Sequence, residues 1–293
     1  MTGHRDTIYS EDAEILEQQS YAGDQYIIRL HAPLTAAHAR PGSFVHLQCN
    51  NMLPMRRPLS IMRAHKQAGW IELMYRIFGM GTHLLSQRIT GERLSVLGPI
   101  GNSFNIHREK IRPLLIGGGV GIPPMIFLAD ELHADKGGFE PLVLMGSETP
   151  FPFTPRPSQI MVPGLPDGVI AAMPLMEDWG IASRLASMQG FAGCFDGYVT
   201  ELARSWLEAM PKEQLSKVEV FACGPHPMLE AVAVMARDFN IPCQISMEEF
   251  MACAVGGCAG CTVKVTTASG PAMKRVCVDG PVFDAACVFP VTA

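Results

Sequence analysis

Cys253-Ala254-Val255-Gly256-Gly257-Cys258-Ala259-Gly260-Cys261, followed after fifteen residues by Cys277, is the stretch from which the rest of the chain is best read. This spacing is the plant-type pattern of a [2Fe–2S] ligand loop. Three thiolates on one short loop must wrap two bridged irons. The residues around them are therefore small: Ala252, Ala254, Gly256, Gly257, Ala259 and Gly260. Glycine there permits positive φ and lets backbone N–H groups approach sulfur. The fourth thiolate returns on a hairpin, 262–267 to 273–277, turned at Ser269-Gly270-Pro271. The alternative is a four-cysteine zinc site, which usually pairs two Cys-x2-Cys knuckles, and only one pair here has that spacing. The expected metal ligands are Cys253, Cys258, Cys261 and Cys277.

Working outward, the chain has nine cysteines, an odd number, and 293 residues. Its opening residues, Met1-Thr2-Gly3-His4-Arg5-Asp6, lack an apolar leader, which argues against a disulfide framework and for a cytoplasmic setting. Cys49, Cys194, Cys243 and Cys287 read as buried thiols. Apolar residues make up 48% and charged residues 17%, which excludes a disordered chain. No apolar run approaches the roughly 20 residues of a membrane helix. A net charge of −5 and a pI near 6.0, with no basic block, argue against nucleic acid and membrane partners.

Residues 8–108 alternate short apolar runs (26–30, 43–48, 70–76, 93–97) with Gly and Pro, which predicts a small antiparallel barrel. One helix is expected within it, at 81–89. From Arg112 strands and helices alternate, which predicts a parallel α/β sheet. Its strands are expected at 113–116, 141–145, 168–173, 218–222 and 243–247, and its helices at 125–134, 200–209 and 227–239. Residues 147–167 carry six prolines and form a long connection. The expected organisation is a barrel domain at 1–110, an α/β domain at 111–247 and a small cysteine module at 248–293.

Other motifs are weaker one by one. Gly117, Gly118, Gly119 and Gly121 follow a strand and open a helix, a geometry that presents N–H groups to a pyrophosphate. The same turn can also exist with no ligand. Arg57, held extended by Pro58 and followed by Leu59 and Ser60, can fork onto phosphate; alone it would be a solvated arginine. Met74, Tyr75 and Arg76 run into Gly79-Met80-Gly81-Thr82, a small anion site with Tyr75 able to lie against a ring, or an ordinary glycine turn. Cys223 ends a strand at the carboxyl edge of the sheet, where α/β folds bind ligands, or is a buried structural thiol.

In this order the motifs, with 98–104, 197–200 and the ending Cys277-Val278-Asp279-Gly280-Pro281-Val282-Phe283, resemble the ferredoxin–NADP reductase superfamily. Within it they resemble the electron-transfer subunits of class 1B dihydroorotate dehydrogenases. The resemblance implies a ferredoxin-reductase-like fold with FAD in the barrel. Arg57 would hold its pyrophosphate, Ser60 would lie near the isoalloxazine edge, and Met74–Arg76 with Gly81 and Thr82 would line it. It implies NAD(H) on Gly117–Gly121 with Cys223 beside the nicotinamide, and a [2Fe–2S] centre near the flavin. It also implies a partner, an FMN-containing dihydroorotate dehydrogenase subunit, in a heterotetramer serving pyrimidine biosynthesis. No protein nucleophile or acid–base pair is required, so no catalytic residue is expected. Glu148, on a ribose hydroxyl, would favour NAD, whereas Arg184, on a 2′-phosphate, would favour NADP. A ferredoxin-linked NAD(P) reductase, a hydrogenase or sulfide dehydrogenase diaphorase, a free-standing reductase and a non-catalytic redox sensor or zinc scaffold are the alternatives.

Overall fold

The computed structural model describes residues 8–135 and 137–290. The opening residues read above for a leader lie outside the described residues, as do 291–293.

Six strands, β1 (Tyr9–Tyr21), β2 (Gln25–His31), β3 (Phe44–Leu47), β4 (Arg57–His65), β5 (Trp70–Arg76) and β6 (Arg93–Ile100), close into an antiparallel barrel in the order β1-β2-β5-β4-β3-β6. Two short helices, α1 (Pro33–His38) and α2 (Met80–Ser86), flank it. Apolar runs do not announce β1, because only Ala13 and Ile15 of its thirteen residues are fully buried. The period-2 side-chain rule sends those two inward while Asp12 and Glu14 stay on the outer face. The segment around Arg57, outside the apolar runs named above, is itself β4, and it pairs with β3 from Leu47↔Arg57 to Phe44↔Ser60. The embedded helix starts and ends a little earlier than the glycine signals suggested.

The second unit is a six-stranded sheet in the order β11-β8-β7-β12-β13-β16. Its first five members are parallel: β7 (Arg112–Gly118), β8 (Leu142–Gly146), β11 (Ala182–Ala186), β12 (Val218–Cys223) and β13 (Cys243–Ser246). Two short strands, β9 (Arg156–Pro157) and β10 (Ala171–Ala172), pair with each other outside this sheet. The helices are α3 (Ile122–Ala134), α4 (Pro174–Asp178), α5 (Val199–Glu208), α6 (Lys212–Leu215) and α7 (His226–Asp238). The hairpin β14 (Thr262–Thr267) and β15 (Gly270–Arg275) precedes β16 (Val282–Asp284) and α8 (Ala285–Val288). β16 runs antiparallel to β13, so the sheet is mixed rather than purely parallel, and the C-terminal module supplies its edge.

The expected strand at 168–173 shrinks to β10, and the third sheet position belongs to β11. β11 hides from pattern reading because Ser183 and Arg184 are polar yet buried. Central strands are covered on both faces, and their alternate residues feed two layers. Leu114, Ile116, Val220 and Ala222 pack with α5 and α7. Leu115, Phe221, Val143 and Met145 pack with α3 and with Met62 and Met74 of the barrel. That second layer joins barrel to sheet.

Candidate functional site

A cleft opens where the barrel, the turn after β7 and the segment after β13 meet. Pro58, Leu59 and Ser60 of β4, Met74, Tyr75 and Arg76 of β5, and Thr82 of α2 line it, together with Phe44, Val120, Ser246, Met247, Glu248, Glu249, Met251 and Pro281. Three stretches far apart in sequence thus share one wall with the fourth, which runs directly into the cysteine loop.

Arg57 stands beside this cleft. A Cβ on Gly81 would lie 2.8 Å from its Nε, so the guanidinium rests on the start of α2 and only glycine leaves it room. Nη1 donates to the carbonyls of Met55 and Arg56 at 3.0 and 3.1 Å, while Nε and Nη2 meet no protein acceptor among the described residues. Thr82 Oγ1 accepts the Phe78 N–H at 2.7 Å and fixes the turn. Two free forks of a guanidinium over a glycine turn suit a phosphate ester. The Tyr75 ring departs from expectation. It points into the barrel core, 1% exposed, stacks on Tyr26 at 5.3 Å and donates its hydroxyl to Gln18. Met74 and Arg76, on the alternate face, are the side chains of β5 that look outward.

The glycine turn divides into two roles. Cβ atoms on Gly117, Gly118 and Gly121 would strike Ile122 Cα at 2.9 Å, Met228 Sδ at 2.4 Å and Cys223 O at 2.3 Å, so these three exist for close packing. Gly119, at φ +54, faces open space, and Val120 beside it enters the cleft wall. Cys223 is fully buried, below rather than in the cleft surface, and burial together with the nearby Glu248 charge pushes its thiol far up. Glu248 is a residue that sequence reasoning missed. It opens onto the cleft, yet the surrounding protein raises its carboxyl above the usual range. Its signal was position, immediately beyond the carboxyl end of the last parallel strand.

Residues 147–167 form an ordered excursion. Gln25 donates to Pro150 O at 2.6 Å, which ties the loop to the barrel, and Phe151 is buried against Phe153 and Phe191. Arg184 is spent here: Nε, Nη1 and Nη2 donate to the carbonyls of Val169, Ser183 and Ile160 at 2.9, 2.7 and 2.6 Å. Buried and bound to carbonyls, it is in no position to pair a 2′-phosphate. Glu148 is exposed beyond β8.

The cysteine loop begins two residues after Met251. Cys261 and Cys277 are buried with their sulfurs 3.3 Å apart. The Cys258 N–H donates to Cys253 Sγ at 3.4 Å, and the Gly260 N–H to Cys258 Sγ at 3.4 Å. Burial raises the Cys253 thiol, but the N–H groups of Cys258, Val255 and Gly257 and the Cys258 thiol outweigh it and bring it down to about 7. Burial and the adjoining Cys261 push Cys277 up to about 12. Two thiolates 3.3 Å apart in a buried place cannot both ionise without a cation between them. Among the described residues no three His, Cys, Asp or Glu side chains close on one point. The sulfurs gather instead as two pairs, Cys253 with Cys258 and Cys261 with Cys277, which fits a dinuclear centre taking two thiolates per metal. Positive φ falls on Gly256 (+81) as expected, but also on Ala254 (+55) and Ala259 (+54). Left-handed alanine costs roughly 1 kcal/mol or more, so the loop holds strain at the site.

Residues 248–289 match the iron–sulfur cluster binding domain of dihydroorotate dehydrogenase B. Over 274 residues, 93% of this chain and 95% of the relative, the sequence is 31% identical to the dihydroorotate dehydrogenase B (NAD(+)) electron transfer subunit of Desulforamulus reducens. The protein of the same description from Bacillus caldolyticus is 34% identical over 94% of this chain and 96% of its own length. Among solved structures, an NADH-dependent reduced ferredoxin–NADP oxidoreductase superposes with TM-score 0.74 at 26% identity, covering 98% of this chain and 91% of that one. Phthalate dioxygenase reductase shares the fold at TM-score 0.57 and 16% identity, covering 94% of this chain and 78% of its own.

A six-stranded barrel, an α/β sheet and a cysteine loop that starts two residues beyond the wall of the cleft between them define a ferredoxin-reductase-like electron-transfer protein with a C-terminal iron–sulfur domain. The chain belongs to the family of dihydroorotate dehydrogenase B electron transfer subunits. It is therefore a subunit of an oxidoreductase whose catalytic subunit is a separate chain. Among the described residues no helix is long and apolar enough to cross a membrane.

Proposed function

We propose that this chain passes electrons between NAD(H) and an FMN-containing dihydroorotate dehydrogenase subunit, in a complex with two copies of each, using FAD and a [2Fe–2S] cluster. The observation that carries this reading is the shared wall: Met251 lines the cleft, and Cys253 follows two residues later, at most about 7 Å along the backbone. Bound there, a flavin would supply the exchange between two-electron hydride chemistry at nicotinamide and single-electron chemistry at a cluster.

The chain's own part is to bind and orient. Arg57, with Gly81 and Thr82 behind it, holds the FAD diphosphate. Pro58, Leu59, Ser60, Met74 and Arg76 form the bed of the isoalloxazine, with the Tyr75 main chain between them. Gly119 and Val120 face the dinucleotide, on a turn braced by Gly117, Gly118, Gly121 and Cys223. Glu148 beyond β8, with Arg184 committed elsewhere, favours NAD over NADP. Cys253, Cys258, Cys261 and Cys277 hold the cluster. The units are 1–110, 111–247 and 248–293, the last lending β16 to the sheet of the second.

Replacing Arg57 by Gln removes a charge-assisted fork worth about 1.5–3 kcal/mol. FAD binding is expected to weaken about 10- to 100-fold, read by flavin fluorescence on titration, with iron content unchanged. Unchanged flavin affinity would remove Arg57 from the site. The function is tested on the purified protein: two irons and two acid-labile sulfides per chain with one FAD, NADH-driven dye reduction by the chain alone, and co-purification with an FMN-containing dihydroorotate dehydrogenase. Zinc in place of iron, or a different flavoprotein partner, would overturn it.

A further inference from the structure

β15 ends at Arg275, two residues before Cys277, and this arginine turns back over the cysteine loop. Its Nη1 donates to the Gly256 carbonyl at 2.9 Å. Gly256 is buried at φ +81, and a Cβ there would lie 2.5 Å from Val278 Cγ2 and 3.3 Å from Arg275 Nη1. The crown of the loop is thus packed directly under the guanidinium. The carbonyl that receives the arginine's hydrogen bond lies two residues before Cys258, whose N–H donates to Cys253 Sγ at 3.4 Å. The guanidinium is therefore fixed on the ligand loop itself, and two residues from Cys277 along the chain.

Its other side is fixed as well. The Arg275 N–H donates to Asp279 Oδ2 at 2.8 Å, and that carboxylate stands 3.7 Å from Arg275 Nε and 3.6 Å from Lys274 Nζ. The Arg275 carbonyl accepts the N–H groups of Val278 and Asp279 at 3.0 and 2.7 Å. Asn102, beyond β6, anchors the turn to the barrel by donating Nδ2 to Asp279 O at 2.8 Å and its N–H to Gly280 O at 2.7 Å. This is a built-in charge pair, not a solvated arginine.

We propose that Arg275 is a positioning residue that sets the reduction potential of the cluster on Cys253, Cys258, Cys261 and Cys277, by holding its charge on the ligand loop at Gly256, with Asp279 as the opposing charge; this rests on the cluster reading above. Reduction adds one negative charge. A fixed cation on the ligand loop stabilises the reduced form. Asp279 stabilises the oxidised form. The two side chains therefore act with opposite sign, which a merely structural clasp would not do.

The test is EPR-monitored redox titration of wild-type, Arg275→Gln, Arg275→Lys and Asp279→Asn proteins, with iron, sulfide and the flavin potential measured on each. Arg275→Gln is expected to raise the oxidised-to-reduced cluster ratio at a fixed potential about tenfold, equivalent to ~59 mV for one electron. Arg275→Lys keeps the charge and should move the ratio less, Asp279→Asn should move it the other way, and the flavin potential should stay in place. Unmoved midpoints at full iron content, or shifts of Gln and Asn in the same direction, would overturn the proposal. If Arg275→Gln does not retain iron, Asp279→Asn decides: an upward shift supports the proposal and any other result ends it. Wild-type protein lacking iron and sulfide would instead sink the cluster reading.

Discussion

Cys277→Ser protein is expected to retain flavin and NADH-driven dye reduction while losing iron and acid-labile sulfide by more than about 100-fold. Altered outer partners alone cost 10–100-fold in metal affinity, and a lost thiolate costs more. Cys277 is the proposed ligand from outside the loop, delivered by the β14–β15 hairpin and held 3.3 Å from Cys261 Sγ. A serine hydroxyl does not ionise in that buried place, so one half of the dinuclear site would have a single thiolate. The flavin cleft should survive, because most of its wall comes from β4, β5, α2 and the segment 246–251, with Pro281 the one contribution from beyond Cys277. Electron delivery to the dihydroorotate dehydrogenase subunit should fall with the iron, read by NADH-coupled orotate turnover in the complex. Cys223→Ser serves as the internal control and should keep full iron. Full iron in Cys277→Ser, or equal loss in Cys223→Ser, would mean that the four-sulfur assignment is wrong.

Gly121→Ala carries the second large effect. The new Cβ would sit 2.3 Å from Cys223 O, 2.4 Å from Cys223 C and 2.5 Å from Gly224 N, all backbone atoms. Gly121 itself has an ordinary φ of −85, so the cost is collision and not conformation. β12 is paired on both sides, to β7 and β13, and cannot yield. Overpacking costs about 1–3 kcal/mol when side chains can adjust, and more here, where backbone must move. A destabilisation of about 3 kcal/mol corresponds to roughly 5 °C in melting temperature for a chain of this size. Gly118→Ala meets the flexible end of Met228 and should cost about 1 kcal/mol. Gly119→Ala meets nothing within 4 Å and carries only the left-handed strain of about 1–2 kcal/mol. Scanning calorimetry of the three should show Gly121→Ala well below the others, and three equal shifts would refute this account of the turn.

Much of the molecule was legible because its signals are local. The cysteine spacing, the strand–glycine–helix turn and the alternation of β5 each depend on neighbours within a few residues. Elements whose partners lie far away were not legible. β1 buries only two of its side chains fully, and β11 places a serine and an arginine in the core. Arg184 could look like a phosphate ligand in sequence because its three acceptor carbonyls, at 160, 169 and 183, become a site only when the long loop folds over it. Tyr75 was readable as a cleft residue, but the direction of its ring depends on strand phase, and one step of register turns a side chain to the opposite face.

Sequence alone carried the four-cysteine spacing, the strand–glycine–helix turn and the family, since thiolate spacing and glycine placement are demands of covalent chain geometry. Tertiary structure alone decided that Met251 joins the cleft to the cysteine loop, that Glu248 and Ser246 complete its wall, that β16 closes the sheet, and that Arg275 stands over the loop against Asp279. These are meetings between residues separated by long stretches of chain. No local pattern encodes them, because they form only when burial of the two shared apolar layers brings barrel, sheet and C-terminal hairpin together.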